Sequence, residues 1–128
     1  MPSTIRWLAV IASAGAIIAL SIVPGDQQPG DSAFVWAFAN TPPGFQKSMH
    51  VVAYGLLAML LIWAMNFERG AGKAARILAV LVPAGLGAFL EWIQLSVPGR
   101  FGSLTDVGLN SLGSALGLVT AIALARRD

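Results

Sequence analysis

The chain has 128 residues, of which 56% are hydrophobic and only 11% charged, with no cysteine. A soluble globular chain carries about 25% charged residues, so this composition, with a mean hydropathy of +0.74, excludes a disordered segment, a coiled coil and an ordinary cytosolic enzyme. Without cysteine there is no disulfide framework, thiolate metal site or thiol nucleophile, and a net charge of +2 does not by itself argue for nucleic acid.

About 20 mostly apolar residues are needed to cross the hydrocarbon core of a bilayer, and four segments supply them. The first, about 7–23, follows Arg6-Trp7 and stops at Pro24-Gly25. Ala19-Leu20-Ser21 would pass as a signal-peptide cleavage site, but the apolar run is long for that purpose and Ile22-Val23-Pro24 makes an awkward mature start. The stretch 26–46 is long for a loop in so small a chain. Within it Asp31-Ser32 can cap a short helix over 33–39, apolar on every face (Phe34, Val35, Trp36, Phe38) and broken by Asn40 and Pro42-Pro43. Too short to span, it is expected in the interface or as a re-entrant piece, either as an anchor or as the wall of a site.

The second span, about 48–67, has His50 as its only titratable side chain. The third, about 77–97, carries Glu91 near its end, and Pro83 with Gly85 and Gly87 is expected to bend it. Pro98-Gly99 then stops the helix with a tight turn. The fourth, about 106–125, ends at Arg126-Arg127, and its Gly113 and Gly117 offer a small surface for close packing within the chain. The runs are too long and too rich in Leu and Ala for strands, and they lack period-two alternation. The fold class predicted is all-α: a single polytopic domain over 1–128, a four-transmembrane-helix bundle with a short interfacial or re-entrant helix between its first and second spans.

Lysine and arginine placement orients such a bundle. Arg6, Arg69, Lys73, Arg76, Arg126 and Arg127 fall on one side, and only Lys47 and Arg100 on the other. Both termini are therefore expected in the cytoplasm. Once topology is assigned no basic patch remains, which disposes of nucleic acid as a partner. Trp7, Trp63 and Trp92 fall near the expected interfaces as belt residues.

The opposite side is chemically richer. Lys47, His50 and Tyr54 stand at i, i+3 and i+7 on one face of the second span; Glu91 and Gln94 at i, i+3 close the third; Asp106, Asn110, Gly113 and Gly117 share a face of the fourth. All three stripes reach the same depth. Ionisable groups within spans are costly and face the bundle interior, where they pair with one another. One polar cluster at the extracytoplasmic end is thus predicted, made of Lys47, His50, Tyr54, Glu91, Gln94, Arg100, Asp106 and Asn110. Its cations and carboxylates balance, so an internally compensated network that only locks helix ends together is one reading of it.

These residues, in this order, resemble the VanZ-like family of small bacterial integral membrane proteins. The family opens one helix with lysine, histidine and tyrosine, as Lys47, His50 and Tyr54 do; its Glu-x-x-Gln matches Glu91 and Gln94. Its Pro-Gly-Arg turn matches Pro98-Gly99-Arg100, followed by Ser103 and Asp106, and its Asp-x-x-x-Asn-x-x-Gly-x-x-x-Gly run matches Asp106, Asn110, Gly113 and Gly117. The match covers 47–117. The family commonly has aspartate before the lysine and an aromatic after the histidine, where this chain has Gln46 and Val51, so Lys47 lacks a usual counter-charge. The resemblance implies an envelope component of the bacterial cytoplasmic membrane and, through the protein that gives the family its name, a link with resistance to the glycopeptide teicoplanin. It implies no settled activity.

Two functional readings stand beside the structural one. In the first, the cluster recognises a membrane lipid headgroup, a lipid-linked cell-wall precursor or a lipoglycopeptide antibiotic. In the second, the chain is a membrane-embedded enzyme acting on an envelope lipid, with His50 as general base, Glu91 or Asp106 orienting it, and Lys47 or Arg100 stabilising developing negative charge. Four short helices polar at one end offer no path for transport. No cofactor or metal is expected: His50, Glu91 and Asp106 would suit zinc or manganese by donor type, but each helix offers only one or two donors.

Overall fold

The computed structural model describes residues 2–65 and 72–126. Arg69 and Arg127, two of the cations that orient the chain, and the expected end of the second span at Phe67 lie outside the described residues. Five helices follow in order: α1 (Ser3–Ser21), α2 (Ala33–Ala39), α3 (Pro43–Ala64), α4 (Lys73–Gln94) and α5 (Leu104–Ala125). Among the described residues there is no strand. All but α2 are long and apolar enough to cross a membrane; 22 residues of α-helix rise about 33 Å, close to the hydrocarbon thickness of a bilayer.

The architecture is the one expected, but the helices begin earlier than their apolar runs. The third helix starts at Pro43 instead of 48, because Pro42-Pro43 opens a helix as well as closing one: Pro43 occupies a first-turn position, where its missing N–H costs nothing. The fourth starts at Lys73 and ends at Gln94, against 77–97. Side-chain caps set two starts. Ser32 Oγ accepts from the Val35 N–H (3.3 Å) at α2, and Ser103 Oγ accepts from the Asp106 N–H (3.4 Å) at α5. Helix α4 is continuous through Pro83, which is buried.

Polar contacts fix the helices' directions. Arg6 Nη1 donates to the Trp63 carbonyl (3.2 Å), joining the start of α1 to the end of α3. Gln94 Nε2 donates to the Ser21 carbonyl (3.2 Å), joining the end of α4 to the end of α1. The four long helices therefore alternate up and down. The most extensive interface is α3 on α5, followed by α4 on α5; α1 packs mainly on α3. The α3–α5 seam is close because Gly113 and Gly117 of α5 lie directly against the backbone of Val51 and Gly55 of α3. The small surface expected on the fourth span is used within the chain.

Ile17, Tyr54, Leu57 and Leu90 form the buried apolar cluster. Outside it, Leu8, Ile11, Val52, Leu81, Trp92 and Val119 are 58–67% exposed. Large apolar side chains all round a bundle are unsustainable in water and ordinary in lipid.

Candidate functional site

The chain brings its polar residues to the end of the bundle where α1 and α4 finish and α3 and α5 begin. Two tight turns meet there. The Arg100 N–H donates to the Val97 carbonyl (3.1 Å) across Pro98-Gly99, with Gly99 at φ +69°, as a type II turn requires at its third position. The Gly25 N–H donates to the Pro98 carbonyl (2.9 Å), and Gly25 and Gly99 approach so closely that a Cβ on either would overlap the other's backbone.

Beneath these turns sits the cluster. His50 of α3 is 24% exposed and Glu91 of α4 is 5% exposed; His50 Nδ1 lies 3.8 Å from Glu91 Oε1. Nδ1 also donates to Asn110 Oδ1 of α5 at 2.7 Å, in the tautomer an oxygen partner demands. Glu91 Oε2 accepts from the Ser103 N–H (2.9 Å), which ties the loop before α5 to the end of α4. One donor atom each of His50, Glu91 and Asp106 lies within 4.8 Å of the other two. Asp106 Oδ1 is buried with no hydrogen-bond partner, and so is Asn110 Nδ2. Tyr54, 3% exposed, packs its ring parallel to the His50 imidazole, centroids 6.4 Å apart.

Of the eight residues singled out in the sequence, His50, Glu91, Asp106 and Asn110 meet as one group, with Tyr54 alongside. The other three do different things. Gln94 reaches α1 through Ser21. Arg100 donates through Nε to the Val23 carbonyl (3.0 Å) and through Nη2 to the Leu20 carbonyl (2.9 Å), with its guanidinium 4.7 Å over the Phe38 ring. It serves the C-terminus of α1, where orphan carbonyls and the helix dipole both favour a cation. Burial pulls the pKa of Arg100 below its ordinary value, and the Glu91 carboxylate works against that shift. Lys47 is exposed and makes no hydrogen bond or ion pair among the described residues; a strongly hydrated ammonium on a flexible stem stays in solvent. Among the described residues neither Lys47 nor Arg100 forms the expected ion pair with Glu91 or Asp106, and Arg100 acts on Glu91 only at a distance.

A cavity lies beside the cluster. About 310 Å³ in volume, it lies between α1, α2 and α3. Its walls are mostly apolar, from Ile17 and Leu20 of α1, Phe34 and Phe38 of α2, and Phe45 and Met49 of α3; His50, Tyr54, Gln94 and Arg100 line it with polar groups. His50 belongs to both cavity and cluster. Of the two roles expected for the 33–39 helix, anchor or wall of a site, its Phe34 and Phe38 take the second. At the far end of the bundle Trp63 lies under the Arg6 guanidinium, 5.1 Å from its ring centre, and Arg6 is only 8% exposed.

Long apolar helices around a buried polar group at one end, beside a mostly apolar cavity, define a small helical integral membrane protein. The chain belongs to the VanZ/LLP1 family, whose model matches residues 6–125, nearly its whole length. No curated protein and no solved structure matches it.

Proposed function

We propose that the protein binds an amphipathic membrane molecule, a lipid or a lipid-linked envelope component, with its apolar portion in the cavity and its polar head toward His50, Gln94 and Arg100. The observation that carries this reading is the cavity's composition: aromatic and aliphatic walls from α1, α2 and α3, and polar side chains from α3, α4 and the turn after α4. Such a lining matches a ligand with one greasy and one hydrogen-bonding end, and binding sites are mostly apolar with a few polar groups that fix orientation. On the lysine and arginine distribution, the protein lies in the bacterial cytoplasmic membrane with both termini cytoplasmic, and the cavity lies near the extracytoplasmic surface. Lipid-linked cell-wall precursors and acylated glycopeptides meet a membrane protein there.

Native mass spectrometry of the protein extracted from its membrane tests this, with Ala53→Trp as the informative variant. Ala53 lines the cavity from α3, and an indole there fills it. The expected result is a bound lipid on the wild-type protein that falls by at least about tenfold in the variant, while the thermal midpoint stays within a few degrees; tenfold corresponds to about 1.4 kcal/mol of lost binding. Equal lipid on both proteins, or none on either, overturns the reading.

A second reading, catalysis on that ligand, is favoured by one observation: His50 faces the cavity and is oriented from behind by Asn110 and Glu91, as a general base must be. His50→Ala separates the two. A bound lipid chemically identical in wild type and variant speaks for binding alone, and a different, unprocessed lipid on the variant speaks for an enzyme.

A further inference from the structure

We infer that His50, Glu91, Asp106 and Asn110 form a binding site for one divalent transition-metal ion, of the zinc or manganese class. The inference stands on the cluster and does not depend on what occupies the cavity.

Charge is the first argument. Two carboxylates and an imidazole have donor atoms within 4.8 Å of one another, at the end of an apolar bundle where like charges are poorly screened. The cations expected to neutralise them make no ion pair with them: Arg100 donates its hydrogen bonds to the Leu20 and Val23 carbonyls and acts on Glu91 only at a distance, and Lys47 is exposed. Only His50 faces the carboxylates as an ion-pair partner among the described residues, and at 3.8 Å from Glu91 it is beyond hydrogen-bond reach. A pocket this negative and this close-set is matched by a small cation of high charge.

Unspent coordination is the second. Asp106 Oδ1 is buried without a hydrogen-bond partner. Glu91 is 5% exposed, yet only its Oε2 takes a hydrogen bond, from the Ser103 N–H. That bond leaves Oε1 as the donor and fixes the carboxylate from behind, the arrangement by which outer-shell contacts orient metal ligands. His50 Nδ1 turns toward the same space. On metal binding its proton moves to Nε2, the freed lone pair meets the ion, and Asn110 Oδ1, now without a donor, becomes available as a fourth ligand. One imidazole nitrogen with carboxylate and amide oxygens suits zinc or manganese better than a purely oxygen-seeking or a thiophilic ion.

Access is the third. His50, at 24% exposed, lines the cavity, so an ion has an entry path. The donors come from three helices with only one or two on each, which is why no pattern of closely spaced ligands announces the site in the sequence.

The test uses the full chain without a polyhistidine tag, purified in detergent, stripped with EDTA and titrated separately with Zn²⁺ and Mn²⁺. We expect about one ion bound per chain and a higher thermal midpoint that EDTA reverses, since an ion that binds only the folded state stabilises it. Asp106→Asn leaves Ser103's cap on the backbone N–H in place and should weaken binding at least about tenfold, with the stripped midpoint no lower than that of wild type because one of two neighbouring like charges is removed. Binding by Asp106→Asn equal to wild type places the ion elsewhere and overturns the inference. So does the absence of any EDTA-reversible midpoint change in the wild-type protein with either ion, a measurement that needs no variant to fold.

Discussion

At the scale of single residues, Glu91 has two separable jobs. Its Oε2 tethers the Ser103 N–H, and its charge belongs to the cluster. Glu91→Gln keeps an oxygen to accept that hydrogen bond, whereas Glu91→Ala leaves a part-buried N–H unsatisfied, at a cost of about 1–3 kcal/mol. The expected order of unfolding midpoints in detergent is therefore wild type close to Glu91→Gln and well above Glu91→Ala. Equal losses in both variants would mean that the charge, and not the tether, holds the loop. Gly87 offers a different probe, because it lies outside the cluster yet controls it. A Cβ there would sit 2.6 Å from Asn110 Nδ2 and 2.8 Å from its Cβ. Gly87→Ala should push Asn110 off His50 and cost about 1–3 kcal/mol as overpacking does, visible both as a lower midpoint and as a shifted His50 imidazole resonance.

The same residues show what could be read in advance. Helical spacing alone brought His50, Glu91, Asp106 and Asn110 to one depth, because polar side chains in a span have few places to go. It could not separate Lys47 and Arg100 from them, since where a long cationic side chain ends depends on carbonyls contributed by other elements. Leu20 and Val23 accept from Arg100 across 80 and 77 residues of sequence, and nothing local marks them as acceptors.

At the scale of elements, α1 has the fewest ties to the bundle of the four long helices, and Arg100 is prominent among them. Two carbonyls accept from different nitrogens of one planar guanidinium, a geometry lysine lacks. Arg100→Lys should therefore behave like Arg100→Ala, releasing the end of α1 and admitting protease between α1 and α2; a lysine variant as resistant as wild type would show that charge alone suffices. The α3–α5 seam is the opposite case. Gly117 lies against the backbone of Gly55, so Gly117→Val cannot be absorbed by a rotamer change and must part the two helices, at the upper end of the overpacking range of about 1–3 kcal/mol. Helix existence was legible from apolar runs, and this seam from glycine spacing. Helix starts were not, because Pro43 and Lys73 extend their helices beyond the apolar residues through backbone geometry that hydropathy does not register.

At the scale of the whole molecule, the polar end of the bundle and the cationic end are different ends, and that asymmetry turns a fold into an oriented device. The positive-inside rule makes the consequence testable with unusual economy, because the chain contains no cysteine and any thiol introduced into it is the only one. Gln27→Cys lies on the exposed connection between α1 and α2, and Ala125→Cys lies at the exposed end of α5. These positions sit at opposite ends of the alternating helices, so a membrane-impermeant maleimide should label Gln27→Cys in intact cells and Ala125→Cys only after permeabilisation. The reverse pattern would put the His50 cluster and the cavity at the cytoplasmic surface. An extracytoplasmic ligand would then be unreachable, whereas a metal site at His50, Glu91, Asp106 and Asn110 would survive, since its donors are set by how the helices pack and not by which way the bundle faces.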